Sequence, residues 1–149
     1  MTQPRTSRVV LCGSMRVHGK ILATSRSLEA LGVPNVAPRP DEAVASATTR
    51  EELDTRKRAA SMRHFRRVTA PETWGLLVVN GDGHDTPLHV GASAFAESAL
   101  ALAHGKAIYL LDGLPERFGE DLRAWNAVCL NGDLARLAAD FEAAQAAVR

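Results

Sequence analysis

The sequence predicts a single three-layer α/β domain around a five-stranded parallel sheet, and three observations carry that prediction. The apolar runs Arg8-Val-Val-Leu-Cys12, Gly75-Leu-Leu-Val-Val-Asn80 and Lys106-Ala-Ile-Tyr-Leu-Leu-Asp112 have the length of strands buried on both faces. Longer segments between them repeat apolar residues at three- and four-residue steps, the period of a helix. At 149 residues the chain has room for one ordinary core and not for two.

Met1 to Ser7 is polar and contains a proline, so it is expected as a disordered lead-in, leaving 8–149 as the domain. Arg8 to Cys12 is the first strand and stops at Gly13-Ser14. From Val17 to Leu31 the residues Val17, Ile21, Leu22, Leu28 and Leu31 mark the first helix, ended by Gly32. Asn35-Val-Ala-Pro38 is a strand that Pro38 and Pro40 confine to a sheet edge. Asp41 to Thr49 reads as a loop with a short helical turn, followed by a long charged helix from Arg50 to about Val68. The central unit runs from the strand at Gly75 through a helix beginning near Gly91 or Ala92 to the strand at Lys106. Gly119 to Asn126 is a short helix or turn, Ala127-Val-Cys-Leu130 the last strand, and Asp133 the candidate N-cap of a closing helix with Leu134, Leu137, Ala138 and Phe141 on one face. Alternating strands and helices with right-handed crossovers give a flavodoxin/Rossmann-like three-layer sandwich of strand order 2-1-3-4-5.

Composition narrows the function. Hydrophobic residues make up 46% and charged residues 23%, and a net charge of +1 gives no global attraction to a nucleic acid polymer or an anionic membrane. No apolar stretch reaches the roughly 20 residues of a membrane span, and a signal-peptide core is not seen, so a cytoplasmic location is expected. Cys12 and Cys129 fall within buried strands and read as reduced core thiols rather than a disulfide or metal pair.

Ligands of open α/β sheets collect at the carboxyl ends of strands. The turn Cys12-Gly-Ser-Met-Arg16 stands at such an end. Its backbone N–H groups, the Ser14 hydroxyl and the Arg16 guanidinium outline an anion pocket with Gly13 and Met15. Asn80 opens a polar loop, Asn80-Gly-Asp-Gly-His-Asp-Thr-Pro-Leu-His89, that follows the central strand. Asp82, His84, Asp85 and His89 match no strong metal motif, so neither a metal nor a cofactor is expected. Past Gly91 and Ser93, Glu97 sits among Phe95, Ala96, Ala99, Leu100 and Ala103; a half-buried carboxylate there needs a partner or a task. His64, on the long basic helix, falls in the crossover before the central strand and can reach the same crevice.

Taken in order, Cys12-Gly-Ser-Met-Arg16, Leu76-Leu-Val-Val-Asn80-Gly-Asp82, Gly91 with Glu97 six residues on, and Gly105-Lys106 resemble the nucleoside 2-deoxyribosyltransferase-like superfamily, which includes 2′-deoxynucleoside 5′-phosphate N-hydrolases. The resemblance spans about residues 8 to 112. It implies an N-glycosidic bond hydrolase or transferase acting on a nucleoside or nucleoside 5′-monophosphate, with Glu97 as nucleophile. It also implies a phosphate held by Gly13, Ser14, Met15 and Arg16, sugar or phosphate contacts from Ser93, and a homodimer or higher homo-oligomer. Two positions depart from the family's pattern. Val10 and Leu11 stand where relatives carry a strand-one aromatic, and His64-Phe-Arg-Arg-Val68 lacks their crossover aspartate. His64, Asp82, His84 and Asp85 are the candidates to supply the missing acid. The departures keep a second reading open, a nucleotide-binding or sensing module without turnover. Two others fit less well: a cytokinin-type phosphoribohydrolase lacks its Pro-Gly-Gly-x-Gly-Thr run here, and a flavodoxin-like carrier lacks an aromatic pair for a flavin.

Overall fold

The computed structural model describes residues 7–81 and 86–148. Met1 to Thr6 of the expected lead-in, and Asp82, His84 and Asp85 of the polar loop, lie outside the described residues. The sheet comprises β1 (Arg8–Cys12), β2 (Asn35–Val36), β3 (Thr73–Val78), β4 (Ala107–Leu110) and β5 (Val128–Cys129). All neighbours are parallel and the order is β2-β1-β3-β4-β5. The Rossmann-like topology expected from the alternating pattern is therefore the observed one.

The helices of the described residues are α1 (His18–Ala30), α2 (Glu42–Ala45), α3 (Arg50–Thr69), α4 (Ala92–Ala103), α5 (Gly119–Ala124) and α6 (Leu134–Val148). Because successive strand side chains point to opposite faces, each interior strand feeds two cores. Val9, Leu11, Leu77, Val79 and Tyr109 meet α1 and α6 through Ile21, Leu28, Leu137 and Phe141. Val10, Cys12, Leu76, Val78, Ile108 and Leu110 meet α3, α4 and α5 through Val68, Ala94, Ala101 and Leu122. Burying a Leu or Val side chain of this kind stabilises by about 1.5–3 kcal/mol, and the charged α3 contributes one such fully buried residue, Val68.

Local chemistry sets the boundaries. The turn after β1 begins as one 3-10 turn, Met15–Val17, with the Ser14 hydroxyl accepting from the Arg16 N–H at 3.3 Å, so the α-helix starts at His18 rather than Val17. Gly32, at φ 79°, ends α1 as expected. Asp41 caps α2 by accepting from the Val44 N–H, and Thr49 caps α3 by accepting from that of Glu52. Asp133 accepts from the Ala135 N–H at 3.1 Å at the start of α6, the capping role its position suggested.

Both edge strands are shorter than their apolar runs. β2 stops at Val36 ahead of the two prolines, and β5 keeps only Val128 and Cys129. Cys129 is consequently half-buried rather than buried, since an edge strand has a neighbour on one side only; both thiols are free. At the sheet's carboxyl edge, Gly13 and Asn80 leave β1 and β3 side by side. A Cβ on Gly13 would stand 2.8 Å from the Val79 carbonyl oxygen, so the absence of a side chain is what lets the turn fold back over the strand end. No helix among the described residues is long and apolar enough to cross a membrane.

Candidate functional site

On the α3–α4 side of the carboxyl edge lies a pocket of about 210 Å³. Its floor is Cys12 and Gly13 at the end of β1 with Glu97 of α4; its walls are Met15, Asp41, His64, Phe65 and Ser93. The buried residues of α4 are Ala94, Glu97, Ser98 and Ala101, a helical stripe turned to the sheet. Glu97 occupies one position of that stripe, and it is the one that lines the pocket. It is 6% exposed, so the helix that buries it also delivers it to β1.

Removal from water pushes the Glu97 pKa up to about 7, and the Cys12 thiol, donating to the carboxylate, opposes only part of that rise. The Cys12 pKa is itself raised, first by burial and then by the neighbouring charge of Glu97. It therefore stays a thiol and a donor. His64 Nδ1 stands 3.9 Å from Glu97 Oε1, beyond hydrogen-bond reach. Its pKa is lowered by burial and then by the charges of Arg67 and Arg63, with Asp41 opposing them. An ion pair would push these two groups the other way, each favouring the other's charge. The pair is thus a carboxyl group near its midpoint at pH 7 facing a neutral imidazole, an arrangement suited to a carboxylate nucleophile beside a proton acceptor.

Of the residues singled out in the sequence, Gly13, Met15, His64, Ser93 and Glu97 converge on this pocket. Arg16 is exposed on the 3-10 turn and is not part of the lining. Ser14 caps that turn, and Gly91 caps α4 with extended backbone. Asn80 does something else. Its amide donates to the carbonyls of Leu88 and Gly113 at 3.2 and 2.8 Å and accepts from the Asp112 N–H at 3.0 Å, so it knits β3 to the neighbouring loops. The Lys20 ammonium covers the same strand end, donating to the Asn80 carbonyl at 2.8 Å and to Asp112 at 2.7 Å. Among the described residues, the crevice that holds Glu97 therefore lies beside β1.

Six pocket residues were not among the candidates of the sequence reading: Pro38, Arg39 and Asp41 arrive from the segment after β2, Ser61 and Phe65 from α3, and the Cys12 side chain was expected as a core thiol. Asp41 also receives a hydrogen bond from Arg63, which fixes it against α3. Among the described residues no group of three or more His, Cys, Asp or Glu side chains is placed to hold a metal ion. Comparison of the chain with protein-family models, curated proteins and solved structures gives no match.

Proposed function

We propose that the protein cleaves the N-glycosidic bond of a nucleoside or nucleoside 5′-monophosphate, with Glu97 as nucleophile, as the resemblance to the nucleoside 2-deoxyribosyltransferase-like superfamily implies. The observation that carries the reading is the buried Glu97 carboxyl at the pocket floor, its pKa near 7, between a thiol donor and a neutral histidine. Phe65 and Asp41 add support. They bring to the pocket an aromatic ring and a carboxylate, the two residue types that strand one and the α3 crossover lack at the family positions.

In the first step a Glu97 oxygen attacks C1′ as the C1′–N bond breaks; the bonding pair leaves with the base, which takes a proton from solvent at the pocket mouth. The developing positive charge on the sugar is offset by the carboxylate, in the manner of retaining glycosidases. In the second step water attacks C1′ and frees Glu97. His64 is the group positioned to accept the water's proton, because burial and then the charges of Arg67 and Arg63 keep the imidazole neutral. A second base in place of water makes the same chemistry a transfer. A homodimer, also implied by the resemblance, belongs to this proposal and is checked by sedimentation equilibrium.

The test is a panel of ribo- and deoxyribonucleosides and their 5′-monophosphates, monitored for free base. Base release that disappears in Glu97→Gln supports the proposal. Saturable binding without release would instead make the protein a nucleotide sensor.

A further inference from the structure

We propose that the mouth of the Glu97 pocket is an anion subsite in which Arg39 and Arg67 together hold the phosphate of a nucleotide whose sugar lies against Glu97. The inference rests on the proposed function for the identity of the nucleotide, and on the cleft itself for the anion. At about 210 Å³ the inner pocket is smaller than the roughly 300–1,000 Å³ usual for small-ligand sites. It shares Pro38, Arg39, Asp41 and His64 with an adjoining cleft of about 810 Å³ over α1, β2 and α3, so a ligand larger than a sugar extends that way.

Four polar side chains of the outer cleft are already committed. Ser25 donates to Asn35 at 2.6 Å, Asn35 donates to the carbonyls of Ser25 and Val33, and Arg63 is bound to Asp41. The guanidinium groups of Arg39 and Arg67 meet no carboxylate or carbonyl among the described residues. Glu29 and Glu42 line the outer cleft together with Arg67, and of the two arginines Arg39 alone also lines the inner pocket. At His64, where the two spaces join, the charges of Arg67 and Arg63 each outweigh that of Asp41. With Arg63 bound to Asp41, Arg39 and Arg67 are the cleft's uncommitted cations, and two guanidinium forks suit the oxygens of a phosphate ester. Arg16, by contrast, lines neither space.

Calorimetric titration with pyrophosphate and orthophosphate tests the subsite without any turnover, using wild type, Arg39→Ala/Arg67→Ala, the charge-matched Arg50→Ala/Arg58→Ala, and Arg16→Ala. Loss of two charged contacts should weaken pyrophosphate binding by about tenfold or more in the first double variant, and by less than about threefold in the other two. Equal binding by Arg39→Ala/Arg67→Ala and wild type, equal loss in either comparison variant, or no saturable binding by wild type overturns the subsite. A second arm compares a nucleoside with its 5′-monophosphate. A preference for the monophosphate that vanishes with Arg39 and Arg67 assigns the subsite to a nucleotide phosphate; anion binding without such a preference overturns that assignment and leaves free phosphate as the occupant. Absence of base release, with these binding results intact, would count against the glycosidase reading alone.

Discussion

Glu97 carries a free-energy cost that is measurable without any ligand. Its folded pKa of about 7 lies above the ordinary glutamate value of 4.5. Below pH 4.5 the group is protonated folded or unfolded and costs nothing; as pH rises through 7 the folded state loses up to about 3 kcal/mol relative to the unfolded chain, at 1.36 kcal/mol per unit. Glu97→Gln should therefore gain stability over wild type between pH 4.5 and pH 8 in urea unfolding, whatever its offset at low pH. A difference that stays constant with pH would contradict the buried carboxyl. The same group predicts that kcat/KM rises with pH through about 7 as the nucleophile ionises, until another group intervenes. His64 offers an independent check on the arginines. Its NMR titration midpoint should fall below the ordinary histidine value of 6.5 and move upward in Arg67→Ala, because a repelling charge has gone; an unchanged midpoint would remove Arg67 from the neighbourhood of His64.

Among the elements, α4 shows how a site can be written in a helical period. Ala94, Glu97 and Ala101 share the buried stripe, so the carboxylate stood out in the sequence as an acidic residue in an otherwise apolar run. The turn after β1 was legible for a similar reason, a glycine at a strand end before a helix. Its stability is testable: Gly13→Ala places a methyl 2.8 Å from the Val79 carbonyl and 3.2 Å from Ile21 Cδ1. Relief of that overlap requires β1 and its turn to move, and should cost about 1–3 kcal/mol in urea unfolding, with a larger proportional loss of ligand binding because Gly13 floors the pocket. Asn80 misled for the opposite reason. A polar residue at a strand end looks available for ligand, yet three hydrogen bonds to backbone occupy its amide, and only tertiary structure reveals those partners.

Over the whole molecule, the strand order followed from the alternation of apolar periods and the handedness of crossovers, which depend on local pattern. The site depended on that pattern only in part. Glu97, His64 and Gly13 come from elements whose ends the topology brings to one edge. Asp41, Phe65 and Arg39 meet them through the path of the segment after β2 and the rotation of α3, neither of which is encoded in a local spacing. The short β2 matters here, because ending the strand at Val36 lets Pro38 and Arg39 turn over the pocket mouth. In the proposed glycosidase reaction Glu97 becomes covalently bonded to the sugar. Acid quenching during turnover of a cleaved nucleotide, followed by intact-mass analysis and peptide mapping, tests it directly. A glycosyl ester on the peptide carrying Glu97, absent from Glu97→Gln, is the result expected; base release at the wild-type rate by Glu97→Gln, with no adduct in either protein, would contradict it.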